Sequence, residues 1–205
     1  MLYYTLGYSR EHSILQELIF SAMYKFPQGI VFYKKDDEYM TPYFVLKEFF
    51  DYTKIDKNEK IWEPFIGDGT SVEKMKRIGY KNVHSEDVDF FKATVPSRDT
   101  IIVTNPPFSI KREILDYIIN GLRWERFALL LPVCVIFTRY FHKIIEKRKD
   151  LQIDILVPYS RVQYLKNGKQ LGKCSFDSCW LVSGIDLGKS RKGYHFMPRC
   201  KSKEL

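Results

Sequence analysis

Cysteine is scarce in this chain, with four residues among 205. None of the four belongs to a Cys-x-x-Cys pair, and their spacing matches neither a zinc knuckle nor a disulfide framework. We therefore expect no metal site. Cys134 and Cys179 stand within apolar runs, so we expect both side chains to be buried.

Long hydrophobic runs are also missing. No apolar stretch reaches the ~18 residues that a membrane-spanning helix needs, and the longest, near 127–137, has the length of a core strand. The first residues lack the basic segment and the long apolar segment of a signal peptide. We expect no membrane partner and a cytoplasmic location, and a nuclear location is also compatible.

Acidic residues are outnumbered by basic ones, 25 against 33, which gives a net charge of +8. Much of the excess lies in 187–205, where Tyr194, His195 and Phe196 stand among the basic residues. Such a segment suits a nucleic-acid backbone, and the alternative is a tail that only aids solubility. The candidates for nucleic-acid binding in this segment are Lys189, Arg191 and Lys192.

A chain of 205 residues fits one sizeable core. We expect residues 1–38 to form an N-terminal extension, with a helix near 13–23 and a short strand at 30–33. Residues 39–186 are expected to form one α/β domain, and residues 187–205 a basic C-terminal tail.

A strand, a glycine loop and a helix are predicted in succession at 60–79. Residues 60–63 indicate a short strand, Gly67-Asp68-Gly69 a loop, and the apolar spacing over 72–78 a helix that ends at Gly79. Glycines let a ligand approach the main chain, and the helix N-terminus presents free N–H groups. Gly-x-Gly alone is weak evidence for a nucleotide-binding unit, and the preceding Glu63-Pro64-Phe65 makes it more specific.

The second strand of this unit is predicted at 81–87, and it ends in Glu86 and Asp87. An acid at this position accepts hydrogen bonds from ribose hydroxyls in nucleotide-binding sheets. The alternative is a solvated acidic turn. Asp89-Phe90-Phe91 follows at once.

Residues 101–109 read Ile-Ile-Val-Thr-Asn-Pro-Pro-Phe-Ser. The apolar run predicts a strand that stops at Asn105, because Pro106 and Pro107 have no N–H for a sheet ladder. We expect Phe108 to be exposed at the tip of the loop. Ligands bind at strand ends in open α/β sheets, so the loop is either a plain proline-rich turn or a clamp for a flat, hydrogen-bonding group such as a base.

The remaining segments complete an α/β pattern. A helix is predicted over 110–122 that carries Lys111 and Arg112, then a central strand buried on both faces at 127–131. A helix over 138–149 with a basic last turn and a strand at 151–157 follow. Asn167-Gly168 predicts a hairpin turn, and 178–183 reads as the last strand, so the sheet should finish with an antiparallel hairpin.

These segments resemble the S-adenosylmethionine-dependent amino-methyltransferases that act on adenine N6. Thr41-Pro42, which also reads as the N-cap and first residue of a helix, resembles the family's first cofactor motif. The segment from Glu63 to Gly69 resembles its glycine loop, Asp87 its ribose-binding acid, and Asp89-Phe90 the segment beside the cofactor adenine. Asn105-Pro106-Pro107-Phe108 is similar to its catalytic tetrapeptide, and the motifs follow the γ-type order.

The resemblance implies a Rossmann-like class I methyltransferase fold: a mostly parallel sheet with an antiparallel C-terminal hairpin strand and helices on both faces. It implies S-adenosylmethionine as the cofactor and 39–186 as the catalytic domain. The implied cofactor-binding residues are Thr41, Pro42, Glu63, Pro64, Phe65, Gly67, Asp68, Gly69, Glu86, Asp87, Asp89 and Phe90.

Two features depart from the family pattern. The interval from Glu63 to Asn105 is short, so we expect the third strand and its helix to be truncated. No segment is large enough for the target-recognition domain of sequence-specific restriction methylases. Substrate contacts are therefore expected from 1–38, from 160–175 with Arg161, from Lys111 and Arg112, and from the tail.

The chemistry of an exocyclic amino group explains the tetrapeptide. The amine is a poor nucleophile because its lone pair is delocalised into the ring. Acceptors at the Asn105 side-chain oxygen and the Pro106 carbonyl would aim the lone pair at the methyl group, and Phe108 would stack on the base. The contribution of the enzyme is mainly positioning, and a base in a duplex must first be flipped out.

Four functions are compatible with these residues. DNA adenine N6-methylation is preferred. Asn at the first tetrapeptide position, where amino-cytosine methylases usually have Ser, favours adenine within the resemblance. RNA adenosine N6-methylation is the first alternative. Methylation of protein glutamine and a non-catalytic nucleic-acid-binding or subunit-interaction role are the others.

Overall fold

The computed structural model describes residue 37 and residues 39–170, 176–187 and 193–199. The helix predicted near 13–23 and the strand predicted at 30–33 lie outside the described residues. So do three of the candidates for nucleic-acid binding, Lys189, Arg191 and Lys192.

Short strands make up the β-structure of the described residues. They are β1 Ile61–Trp62, β2 Val83–His84, β3 Ile101–Thr104, β4 Phe127–Pro132, β5 Asp154–Val157, β6 Leu165–Lys166, β7 Lys169–Gln170, β8 Ser178–Ser183 and β9 Tyr194–Phe196. Seven of them form one sheet in the order β2-β1-β3-β4-β8-β5-β9. The sheet is parallel except for β8, which runs antiparallel to β4 and β5. This mostly parallel sheet confirms the expected arrangement.

The helices that accompany the sheet fall into two pairs. They are α1 Tyr43–Thr53, α2 Thr70–Ile78, α3 Lys111–Asp116 and α4 Arg139–Glu146. Helix α1 packs on α2, and α3 packs on α4. The connection β1–α2–β2 moves along the sheet in one direction and β3–α3–β4 in the other. Right-handed crossovers therefore place the two pairs on opposite faces.

The core of the sheet is at β4 and β8, whose residues are all buried. A strand buried on both faces reads as a continuous apolar run, which is why β4 was predictable. The ring of Phe49 from α1 stacks on Trp180 of β8 at 4.4 Å between centroids, so this helix pair covers one face of the centre. Among the described helices, none is both long enough and apolar enough to cross a membrane.

Helix α1 begins later than predicted. Pro42, and not Thr41, occupies the N-cap position, and no side chain caps the helix. The Pro42 carbonyl accepts the N–H of Val45 at 3.2 Å, so the first turn closes without the Thr41 hydroxyl. That hydroxyl is buried and has no hydrogen-bond partner.

The helix predicted over 110–122 has a mixed form. A 3-10 turn at Phe108–Ile110 leads into α3, and a π-helical turn at Tyr117–Gly121 follows. The N–H of Leu122 donates to the carbonyl of Tyr117, five residues back, at 2.7 Å. Three consecutive side chains of this turn, 117–119, are buried.

Helix α4 is shorter than the predicted 138–149. Thr138 is its N-cap, and the Thr138 hydroxyl accepts the N–H of Phe141 at 3.3 Å. The predicted basic last turn lies beyond the helix, and Arg148 in that turn is only 1% exposed. Its guanidinium donates to the Ile119 carbonyl at 2.9 Å and pairs with Asp150 at 2.9 Å. The charge of Arg148 is therefore paired within the protein and does not face solvent.

The sheet has one strand more than predicted, because β9 extends it beyond β5 and runs parallel to it. This strand lies within 187–205 and not at 178–183, which was expected to be the last strand. In β9 the polar His195 is buried against Asp154, at 3.3 Å, while Tyr194 and Phe196 are exposed. An apolar-out pattern is the reverse of the usual alternation, so hydropathy does not reveal this strand.

Three local predictions have clear outcomes. The hairpin turn at Asn167-Gly168 is confirmed between β6 and β7, with both residues at positive φ. Only a 3-10 turn, Phe90–Lys92, lies between β2 and β3, so the third strand and helix of the pattern are truncated as expected. Cys179 is buried as expected, but the expectation for Cys134 is wrong, since it is exposed in the 3-10 segment Val133–Phe137 after β4.

Candidate active site at the carboxyl edge of the sheet

The carboxyl ends of β1, β2 and β3 meet at one edge of the sheet. Strand β1 pairs in parallel with both β2 and β3, so the residues that follow the three strands lie side by side. Glu63 follows β1, Glu86 and Asp87 lie just past β2, and Asn105 follows β3. The structure thus brings three separate predicted segments to the same edge.

Glu63 is a buried carboxyl group at the centre of this edge. It accepts hydrogen bonds from the main-chain N–H of Phe65 at 3.1 Å and from the hydroxyl of Thr104. Burial raises the pKa of Glu63 to about 8, and the two hydrogen bonds act in the opposite direction. The carboxyl group therefore holds a proton at neutral pH. Thr104, the last residue of β3, was not among the predicted site residues.

The glycine loop connects Glu63 to α2. Gly67 and Gly69 have φ values of +55° and +79°, in the left-handed region that favours glycine. Asp68 accepts hydrogen bonds from the N–H of Thr70 at 3.0 Å and from its hydroxyl at 2.7 Å, which closes the turn onto the helix. A Cβ atom built at Gly69 would meet nothing within 4 Å, so there is open space beside this residue.

Lys74 links the loop helix to the residues before α1. Its ammonium group donates to the Thr41 carbonyl at 2.8 Å and to the Thr70 hydroxyl at 3.0 Å. Burial lowers the pKa of Lys74, and the charge of Asp68 opposes this shift. Thr41 and Pro42 therefore lie beside the first turn of α2, as a shared site requires. A lone lysine in an amphipathic helix gives no sequence signal for this contact.

The acidic segment after β2 has two different parts. Glu86 pairs with His84 at 3.3 Å and Asp87 is exposed, so both carboxylates face solvent at the edge. Asp89 accepts the N–H of Phe91 at 3.1 Å and starts the 3-10 turn. The ring of Phe90 is buried and lies 4.8 Å from Phe65, which joins this turn to the glycine loop.

Asn105 has a defined orientation at the end of β3. Its side-chain N–H donates to the carbonyl of Tyr39 at 2.5 Å. Its side-chain oxygen is buried and has no hydrogen-bond partner. Pro106 and Pro107 are buried, and their rings restrict the main-chain φ angles of the loop. The amide is thus fixed with a free acceptor, and Tyr39 gives no signal of this role in the sequence.

Phe108 lies in a cluster of four aromatic rings. It is 8% exposed, so the expectation of an exposed ring at the tip of the loop is wrong. Tyr39, Tyr164 and Phe176 surround it with centroids 5.3, 5.8 and 5.4 Å away. The chain segments that carry these rings are distant in sequence, so local reasoning could not find the cluster. It forms an apolar wall next to the Asn105 amide.

The predicted cationic contacts have different environments. Lys111 donates to the Phe108 carbonyl at 2.8 Å and so braces the tetrapeptide. Arg112 is exposed. Arg161 forms a two-pronged pair with Asp177, at 2.6 and 3.0 Å, and its hydrogen bonds lower the pKa of that carboxyl. Within the part of the chain that the structure describes, no group of His, Cys, Asp and Glu is arranged to hold a metal ion.

The fold is similar to those of solved methyltransferases. A modification subunit of a protein described as a type I restriction enzyme, from Vibrio vulnificus YJ016, matches with a TM-score of 0.52 at 10% identity, over 98% of this chain and 55% of that chain. A protein described as a class I S-adenosylmethionine-dependent methyltransferase from Listeria monocytogenes matches with a TM-score of 0.49 at 14% identity, over 96% of this chain and 76% of the other. The 23S rRNA methyltransferase ErmE matches with a TM-score of 0.46 at 12% identity, over 72% and 68% of the two chains.

These likenesses concern the fold. No protein family model matches the chain, and no curated protein matches its sequence. The chain spans about half of the Vibrio subunit, 55%. Together with the strand order, the match to the Vibrio subunit confirms the expected Rossmann-like α/β fold.

Proposed function

We propose that this protein is an S-adenosylmethionine-dependent methyltransferase that acts on the N6 amino group of adenine in DNA. The observation that carries the proposal is the side-chain oxygen of Asn105, which is buried and has no partner. Leaving a buried acceptor unpaired costs about 1–3 kcal/mol, and an N–H donor from a ligand would remove that cost. This acceptor stands one strand away from the glycine loop, where a methyl donor would bind.

The residues at the edge fit S-adenosylmethionine. When bound, this cofactor supplies a methyl group already activated by its sulfonium. The open space beside Gly69 admits a ligand to the main chain of the loop. The exposed Asp87 carboxylate is available to accept hydrogen bonds from ribose hydroxyls. The Phe65 and Phe90 rings, with centroids 4.8 Å apart, join the glycine loop to the 3-10 turn that follows this acid. The neutral Glu63 carboxyl stabilises the loop by accepting the main-chain N–H of Phe65.

The side-chain oxygen of Asn105 would act on the target amine by accepting a hydrogen bond from one of its N–H groups. The Pro106 carbonyl would accept a hydrogen bond from the second N–H, and together they would draw the nitrogen lone pair out of conjugation with the ring. No general base is needed before the transfer, because the amine loses its extra proton to water afterwards. The aromatic cluster around Phe108 supports the apolar side of this pocket. Catalysis by these residues is mainly positioning.

A methyl-transfer assay tests this function. Purified protein is incubated with S-adenosylmethionine labelled in the methyl group and with duplex DNA, single-stranded DNA, RNA or peptide. Nucleoside and amino acid analysis then locates the label. We expect N6-methyladenine from DNA, with single strands preferred, because no flipping is needed there.

Other results would contradict the proposal in distinct ways. Label only in RNA would move the substrate to RNA adenosine. Label in peptide glutamine would move it to protein. Cofactor binding without transfer to any of the four substrates would contradict the enzyme function itself.

A further inference from the structure

Exposed aromatic rings are concentrated at the carboxyl edge of the sheet. The exposed aromatic side chains of the described residues are Phe137, Tyr159, Tyr194 and Phe196, at 76%, 61%, 68% and 79% exposure. Phe137 ends the 3-10 segment after β4, Tyr159 lies two residues after β5, and Phe196 is the last residue of β9. Two of these rings thus follow the carboxyl ends of parallel strands, and Phe196 lies at such an end.

Each of these three rings has an arginine close behind it in the sequence. The pairs are Phe137 with Arg139, Tyr159 with Arg161, and Phe196 with Arg199, and all three arginines are exposed. Strand β3 is also followed by an exposed arginine, Arg112. We call the six residues of the three pairs the arginine–aromatic row. Exposed phenylalanine is unfavourable by itself, since burying such a ring gains roughly 1.5–3 kcal/mol.

The row lies on the same edge as Asn105. Strands β3, β4, β5 and β9 all point in one direction, because β8 alone is reversed. With neighbouring strands about 4.8 Å apart, the four steps from β3 to β9 cover about 19 Å. A chain that passes Asn105 and follows the edge therefore meets the three pairs in succession.

The chemistry of the row fits a single-stranded nucleic acid. An aromatic ring stacks on any base, and a guanidinium binds phosphate with two parallel hydrogen bonds. Arg161 is paired with Asp177 at the surface, so binding to a phosphate would exchange one two-pronged pair for another. The segment 187–205 around Phe196 also carries a large share of the net charge of +8.

We propose that the arginine–aromatic row binds a single strand of nucleic acid and guides it to the Asn105 pocket. Bases stack on Phe137, Tyr159 and Phe196, and the arginines hold the phosphates between them. The guiding role rests on the proposed function, but the binding role does not need methyl transfer. The row supplies substrate contacts without a separate recognition domain.

Substitution of the rings tests the stacking. The variant Phe137→Leu/Tyr159→Leu/Phe196→Leu keeps apolar bulk and removes the rings, while Phe137→Tyr/Tyr159→Phe/Phe196→Tyr keeps all three. Fluorescence anisotropy without cofactor measures binding to labelled DNA and RNA strands of about 12 nucleotides, within the usual site size. We expect the leucine variant to lose about tenfold or more in affinity and the ring-retaining variant to bind like wild type.

Substitution of charge tests the phosphate contacts. The variant Arg139→Gln/Arg161→Gln/Arg199→Gln should flatten the slope of log affinity against log salt by about 2, since each contact to a single strand contributes about 0.7. A matched control substitutes three exposed lysines at the opposite edge of the sheet, where the parallel strands begin. In this control the slope of log affinity against log salt should stay as in wild type. These lysines are Lys54, Lys76 and Lys81.

The outcomes separate this inference from the proposed function. If the leucine variant binds nucleic acid as tightly as wild type, the proposed role of the row is wrong. It is also wrong if the ring-retaining variant loses as much affinity as the leucine variant. A salt slope that changes as much in the lysine control also overturns it. Ring-dependent binding in a protein that transfers no methyl group would support the row and contradict only the enzyme function. Thermal unfolding of each variant checks that the fold is intact.

Discussion

The hydroxyl of Thr104 donates a hydrogen bond to the buried carboxyl of Glu63, and it thereby ties the end of β3 to the end of β1. The same carboxyl oxygen accepts the N–H of Phe65 in the glycine loop. One buried group thus joins the loop proposed for the cofactor to the strand that carries Asn105. The residues that carry the proposed chemistry lie directly on either side of this contact.

The Thr104→Val substitution should weaken the fold. It keeps the shape of the side chain but removes the donor to Glu63, so we expect a loss of about 1 kcal/mol in the free energy of unfolding, measured in urea. Thr53→Val is the matched control, because the Thr53 hydroxyl is buried and has no partner. That change should be neutral or stabilising. If both variants lost the same unfolding free energy, the loss in Thr104→Val would not come from the hydrogen bond to Glu63.

The pKa of Glu63 predicts a pH dependence of stability. In the folded protein the pKa is raised from 4.5 to about 8, so the folded state holds a proton that the unfolded state releases above pH 4.5. The contribution of Glu63 is therefore fully present below this pH and is lost as pH rises toward 8. The expected slope is a loss of about 1.4 kcal/mol per pH unit.

The Glu63→Gln variant tests this dependence by urea unfolding across the same pH range. The glutamine side chain has no titrating proton. The slope of the variant's unfolding free energy against pH should therefore be smaller than that of wild type by the contribution of one proton, about 1.4 kcal/mol per pH unit. Burial also raises the pKa of Glu48, which adds a slope of the same sign to both proteins. The comparison with wild type isolates Glu63, and parallel curves for the two proteins would contradict the assignment.

Gly69→Ala should affect both stability and cofactor binding. Gly69 has φ +79° with open space beside it, and a side chain in this conformation costs about 1 kcal/mol. Gly168 in the β6–β7 turn has φ +72° and equally open surroundings, so Gly168→Ala carries the same strain far from the loop. We expect similar losses of unfolding free energy, and weaker S-adenosylmethionine binding by calorimetry for Gly69→Ala alone. Equal affinities would place the cofactor away from Gly69.

Asn105→Ala should separate binding from turnover. Removal of the free acceptor is expected to lower kcat by at least about 100-fold, in the range of other lost transition-state hydrogen bonds. S-adenosylmethionine affinity should remain, because the glycine loop is untouched. Asn82→Ala is a control, since the amide of Asn82 also donates to a main-chain oxygen but lies before β2, at the other edge. Loss of cofactor binding in Asn105→Ala would contradict the role given to this residue.

Elements with a local pattern were predictable from the sequence. The continuous apolar run of β4, the positive φ values of Asn167-Gly168 and the glycine loop before α2 each express their structure within a few residues. The stop at Asn105 follows from the two prolines alone. These elements place the sheet and the edge on which the candidate site lies.

Features that depend on distant partners were not predictable. The Asn105 amide is oriented by the Tyr39 carbonyl, 66 residues away in sequence. Arg148 was expected in a basic last helical turn, yet the Ile119 carbonyl and Asp150 allow its burial. Strand β9 has its polar residue inside because Asp154 is available to pair with His195. In each case the deciding atom belongs to another part of the chain.

The reversed strand β8 has a consequence for synthesis of the protein. It fills the gap between β4 and β5, so the two strands cannot join one sheet until residues 178–183 have left the ribosome. The part of the sheet formed by β1, β2 and β3 is complete much earlier. During that interval the apolar β4 has an open edge that invites pairing with other chains. Nascent chains that stall before β8 should therefore be the ones that need a chaperone.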